Sequence, residues 1–82
     1  MDPGLLTWRD HAALRILYRA DVATTAQLTA LVYHRRQTAQ ERLAALYSAG
    51  YLERAATPGL PLATLDERLK GAARQLGVAL LD

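Results

Sequence analysis

The sequence has no cysteine, which excludes disulfides, thiolate metal sites and a thiol nucleophile. A small domain without such staples belongs in a reducing compartment, here the cytoplasm, or gains stability by oligomerising. Aromatic residues are scarce, at 6% of 82 residues, so leucine and alanine must fill the core. No uncharged apolar run approaches the ~20 residues of a membrane span, and Met1-Asp2-Pro3-Gly4 lacks the basic and apolar regions of a signal peptide. No membrane association is therefore expected. No glycine-rich phosphate loop precedes a helix, and Ser48 has neither a histidine in its own element nor a glycine elbow, so no catalytic activity is expected. His11 and His34 have no partner at ligand spacing, which argues against a metal site. No cofactor is implied. Repeats, low-complexity tracts and linkers are also missing, leaving one domain over residues 1–82.

Strong charge of one sign is missing too, since the net charge is only +2. Its distribution is uneven. Up to Thr24, Arg9, Arg15 and Arg19 balance Asp2, Asp10 and Asp21; from Ala55 onward Arg68, Lys70 and Arg74 balance Asp66, Glu67 and Asp82. The surplus lies between Thr25 and Arg54, where Arg35, Arg36, Arg42 and Arg54 face only Glu41 and Glu53. Any electrostatic footprint for phosphates is concentrated there.

What is present is a succession of helix signals. Thr7-Trp8-Arg9-Asp10 has the spacing of a capping box, in which a side-chain hydroxyl and a carboxylate each take one unpaired backbone N–H. It predicts a helix from Trp8 to about Ala20, with Ala13, Leu14, Leu17 and Tyr18 on one face. Thr24-Thr25-Ala26-Gln27 repeats the signal and opens a short second helix, with Leu28, Leu31 and Val32 at helical spacing, ending near Tyr33. After the aperiodic Tyr33-His34-Arg35-Arg36, Gln37 or Thr38 opens a third helix with Ala39, Leu43, Leu46 and Tyr47 on one face, stopped by Gly50. Tyr51-Leu52-Glu53-Arg54 suggests a short strand, and Thr57-Pro58-Gly59 a turn before Leu60-Pro61-Leu62. The two prolines allow only a small or irregular hairpin. Thr64-Leu65-Asp66-Glu67 is taken as a third capping box opening a C-terminal helix over residues 64–81, interrupted by Gly71 and Gly77.

A short helix, a polar turn, a helix with a polar start and then a hairpin is the order of a winged helix-turn-helix, over a core of residues 5–62. The expected fold class is mainly α with a small β-hairpin. Helix two would pack on helix three through Leu28, Leu31, Leu43 and Leu46, freeing the start of helix three for a major groove. Arg35, Arg36, Gln37, Thr38, Gln40 and Glu41, with Ala44 at the margin, would lie on the free surface. The alternative for Arg35, Arg36, Gln37 and Gln40 is an ordinary solvated helix start; the coincidence of charge surplus and geometry favours double-stranded DNA.

The segments Leu6–Asp10, Leu14–Leu17, Thr24–Leu28, Arg36–Leu43 and Leu46–Arg54 together resemble the N-terminal winged helix of replication-relaxation-type proteins. The resemblance implies a bacterial or phage DNA-binding protein concerned with replication or its control. Here the wing is compressed into Thr57 to Leu62, and His11 stands where a leucine is usual.

The candidate DNA contacts are thus Thr25, His34, Arg35, Arg36, Gln37, Thr38, Gln40, Glu41, Arg42, Arg54 and Thr57. Arg42 could equally form a salt bridge to Glu41 or Glu53. His34 would touch a phosphate, and Arg54 and Thr57 would do so beside the wing. His11 is expected to be a partly exposed helix residue. Trp8 is expected to anchor the first helix to the last, and Tyr47 and Tyr51 to pack in the core and hairpin. The C-terminal helix either folds back on helix one or pairs with its symmetry mate in a homodimer through Leu65, Leu69, Ala72, Leu76 and Leu80, which would suit two DNA half-sites. The expected function is sequence-preferring DNA binding in transcription or replication control. The rival is a winged helix that binds a protein and never touches DNA, which the low net charge favours.

Overall fold

Helix α1 (Trp8–Ala20) begins where the capping box places it. The Asp10 N–H donates to Thr7 Oγ1 at 3.2 Å and the Thr7 N–H to Asp10 Oδ2 at 3.0 Å. In the computed structural model, which describes residues 6–55 and 62–81, α1 is followed by β1 (Ala23–Thr24) and α2 (Thr25–Leu28), which runs into a π-helical segment, Thr29–Tyr33. Then come α3 (Arg36–Ser48), β2 (Leu52–Arg54), β3 (Leu62–Leu65), α4 (Glu67–Leu76) and a 3₁₀ segment, Val78–Leu81. The chain is mainly helical, with one three-stranded antiparallel sheet in the order β1-β3-β2. The predicted turn Thr57-Pro58-Gly59, and Thr57 as a contact, lie outside the described residues.

Strand β3 is the centre of the sheet, with Ala63 opposite both Ala23 and Arg54, and Leu65 opposite Leu52. Its alternation puts Ala63 and Leu65 into the core, as the two-residue period of a strand with one buried face requires. Leu14 and Leu17 of α1, Leu28 of α2, Leu43 and Leu46 of α3, Leu52, Leu65 and Leu81 form one apolar cluster. Burying each leucine contributes about 1.5–3 kcal/mol.

The end of α3 follows from Gly50. Its positive φ of 85° lets its N–H reach the Tyr47 carbonyl at 3.1 Å, while the Tyr51 N–H reaches the Leu46 carbonyl at 3.0 Å. This pair of bonds is the Schellman motif. A Cβ on Gly50 would meet nothing within 4 Å, so the cost of Gly50→Ala is purely conformational. It should destabilise the domain by about 1–2 kcal/mol in urea denaturation, with an unchanged m-value.

Several expectations are corrected. Thr64 and Leu65 belong to β3 and do not cap the last helix; Thr64 Oγ1 instead donates to the Asp21 carbonyl at 2.7 Å. The cap is Asp66, whose carboxylate accepts from the Arg68 and Leu69 N–H groups. The C-terminal stretch is not one helix, because Gly77 at φ 97° ends α4 before the 3₁₀ segment. Leu65 is 1% exposed in the protomer core, so it is not available to a dimer. Trp8 is 70% exposed and anchors nothing at the C-terminus; the Arg9 guanidinium stacks on it 4.6 Å from the ring centroid. Half-buried His11 makes that link, its Nδ1–H donating to the Leu81 carbonyl at 2.8 Å.

Leu31, expected against α3, is 64% exposed. The π-helical turn explains this, since an i→i+5 hydrogen bond advances the buried face by about a residue per turn. The His34 N–H bonds to the Thr29 carbonyl at 2.6 Å, and Val32 and Tyr33 become the buried pair after Leu28. Thr29 Oγ1 donating back to the Thr25 carbonyl at 2.7 Å belongs to the same distortion.

Candidate nucleic-acid interface

Helix α2 opens with the second capping box. The Gln27 N–H donates to Thr24 Oγ1 at 3.0 Å and the Thr24 N–H to Gln27 Oε1 at 2.8 Å. The π turn that follows closes on His34, whose φ of 66° puts it in the left-handed region, where histidine is enriched among non-glycine residues. Arg35 is extended and serves as the N-cap of α3 without a side-chain cap bond. The reversal at His34 and the extended Arg35 thus set the direction of α3.

Along α3, Ala39, Leu43 and Leu46 are buried. Arg36, Gln37, Gln40, Glu41 and Ala44 are exposed and Thr38 is half-buried. A cleft of about 830 Å³ separates this start from α2 and the π turn, lined by Thr24, Thr25, Ala26, Thr29, Ala30, His34, Arg36 and Gln40. A second hollow of about 180 Å³ lies toward β2, between Thr25, Gln40, Leu43, Ala44, Tyr47 and Arg54. Thr25 and Gln40 line both, so they occupy the middle of the face.

The structure brings Thr25, His34, Arg36, Gln40 and Arg54 onto this surface. Arg35 and Arg36 enter no ion pair among the described residues. The Gln37 amide donates to Glu41 Oε1 at 3.2 Å, so those two side chains engage each other. The Arg54 guanidinium lies 4.6 Å from the centroid of the Tyr47 ring, which fixes the cation at the edge of the second hollow. Burial pushes the Tyr47 hydroxyl's pKa up, against the pull of Arg54.

Arg42 does not belong to the surface. Neither of its expected partners, Glu41 or Glu53, holds it; its Nη2 lies 2.6 Å from Asp10 Oδ2 and its Nε 3.1 Å from the same oxygen. The Asp10 carboxylate is fully buried and also accepts from the Tyr33 hydroxyl at 2.9 Å. Burial raises the Asp10 pKa, but Arg42, the Thr7 N–H and Tyr33 outweigh it and hold the carboxyl below its ordinary value. One carboxylate thereby caps α1, holds α3 through Arg42 and holds the π turn through Tyr33.

Sequence reasoning missed the small residues that open the large cleft, Ala26, Thr29 and Ala30. Their signal was present, since an α2 and a following π segment without bulky residues at these positions leave space beside α3. Among the described residues no group of three or more potential ligands could hold a metal ion, and no helix is long and apolar enough to cross a membrane.

Comparison with protein-family models, curated proteins and solved structures finds no match to this chain in any of the three.

Proposed function

We propose that the chain is a winged helix-turn-helix domain that binds double-stranded DNA, with the start of α3 in the major groove and no catalytic role. It would act as a sequence-preferring regulator of transcription or replication. The observation that carries this reading is the pairing of Arg35 and Arg36, exposed and outside any ion pair among the described residues, with an open cleft beside α3. A major groove about 12 Å wide admits one helix, and the cations flanking α3 supply the phosphate contacts that position it. Arg54 is the cation on the β2 side. Leu76 and Leu80, at 73% and 45% exposure, offer an apolar surface beyond Leu69 and Ala72 for a homodimer on two half-sites.

A fluorescence-anisotropy titration with random 30-base-pair duplex across a salt series tests the proposal, with light scattering on the same sample to give the mass. The expected result is micromolar-range binding whose log affinity falls linearly with log salt. No binding at low salt would instead favour a protein-interaction module, the reading to which exposed Trp8 and Leu31 lend support.

A further inference from the structure

We infer that Gln40 and Ala44 make the domain select an A·T pair at the centre of its site, with the arginines around them confined to phosphates. The inference rests on the DNA-binding reading above and assigns its specificity. Gln40 is the only α3 residue lining both hollows, and so sits at the middle of the exposed face. Its amide is exposed and makes no hydrogen bond among the described residues. The neighbouring polar side chains of α3 are committed elsewhere, with Gln37 bonded to Glu41 and Arg42 to Asp10.

The chemistry of the free amide decides the base. A glutamine side chain offers one donor and one acceptor side by side, which matches adenine N7 and N6 in the major groove; guanine presents two acceptors there. Ala44 follows four residues later, one turn along the same helix face, and borders the second hollow. Its methyl group suits apolar contact with a thymine C5-methyl, and its small size lets the groove floor approach Gln40. Arg36 and His34 lie toward α2 and Arg54 toward β2, on either side of this pair. That placement gives the cations to the two backbones and the amide to the bases.

Selection from a randomised duplex pool, followed by affinities for the winning sequence and its A·T→G·C variants, tests the assignment. The 82-residue chain should prefer the A·T pair by about tenfold or more. Gln40→Ala should abolish the preference at that one pair. Gln40→Glu, which can accept from cytosine N4, should move the preference to a C·G pair, a change that a merely structural role would not produce. Binding to random duplex without any base preference, or a preference that survives Gln40→Ala, overturns the inference and leaves DNA binding standing. Failure to bind any duplex overturns both.

Discussion

Asp10→Ala should remove about 3 kcal/mol of stability in urea denaturation. Deleting one member of a buried ion pair costs about 3–5 kcal/mol, because the remaining partners lose their compensation. The lower figure applies because the Arg42 side chain is 27% exposed and regains water once released. The Tyr33 hydroxyl does not, since Tyr33 is buried and Asp10 is its acceptor, and a stranded buried donor costs roughly 1–3 kcal/mol. The loss falls on a domain whose total stability, at roughly 0.05–0.15 kcal/mol per residue, is small. A loss under about 1 kcal/mol would mean that the three elements are not held by this carboxylate.

The same group sets part of the pH dependence. The folded Asp10 pKa is depressed, so its stabilisation is fully present above the ordinary carboxylate value of about 3.9 and is lost as pH falls through the folded value. Lys70 depresses Asp21 in the same direction through a 2.8 Å contact. Glu53, raised by its neighbour Asp66, contributes with the opposite sign. The Tyr33 hydroxyl is pushed up by burial and by Asp10, so its contribution holds below about pH 10 and is lost in alkali. Asp10→Asn should therefore flatten the acid limb of the stability curve below about pH 4.

The two ends of that network were legible in the sequence. Asp10 falls on the apolar stripe of α1 with Ala13, Leu14 and Leu17, and Arg42 on that of α3 with Ala39, Leu43 and Leu46. A charge at a core position of each of two helices is a signal of pairing. The capping boxes at Thr7 and Thr24 were legible because both halves of each hydrogen-bond exchange are local. Strand β1 was not, since two residues carry no period and their pairing with β3 is formed 40 residues away, as between Ala23 and Ala63. The π turn was invisible for a related reason. Thr29 to Tyr33 reads equally well as α-helix, and in the π segment Tyr33 is buried with its hydroxyl donating to Asp10. Thr64 offered a capping hydroxyl two residues too early; the sheet took it, leaving Asp66 to cap α4.

The candidate interface shows the same division. Its membership was legible as a charge surplus between Thr25 and Arg54, but which cations remain free was not, because that depends on the tertiary partner of each. Arg42 is withdrawn by Asp10 and Arg54 is laid over Tyr47, leaving Arg35 and Arg36 as the pair with no ion partner among the described residues.

Charge reversal of that pair separates binding from folding. Each phosphate contact contributes a slope of about 0.9 in log affinity against log salt, so removing two lowers the slope by about 2 and the affinity at 0.1 M salt by roughly 60-fold. Reversing the sign adds repulsion, and Arg35→Glu/Arg36→Glu should weaken duplex binding by about 100-fold or more. Arg35 is the N-cap of α3 and Arg36 its first residue. Carboxylates there face the positive end of the helix dipole, which favours them by about 0.3–1 kcal/mol. The double variant should consequently lose its DNA affinity with its melting temperature held or raised. Anisotropy and thermal denaturation on one sample measure both quantities. Unchanged affinity across the salt series would remove α3 from the DNA and leave its polar start an ordinary solvated surface.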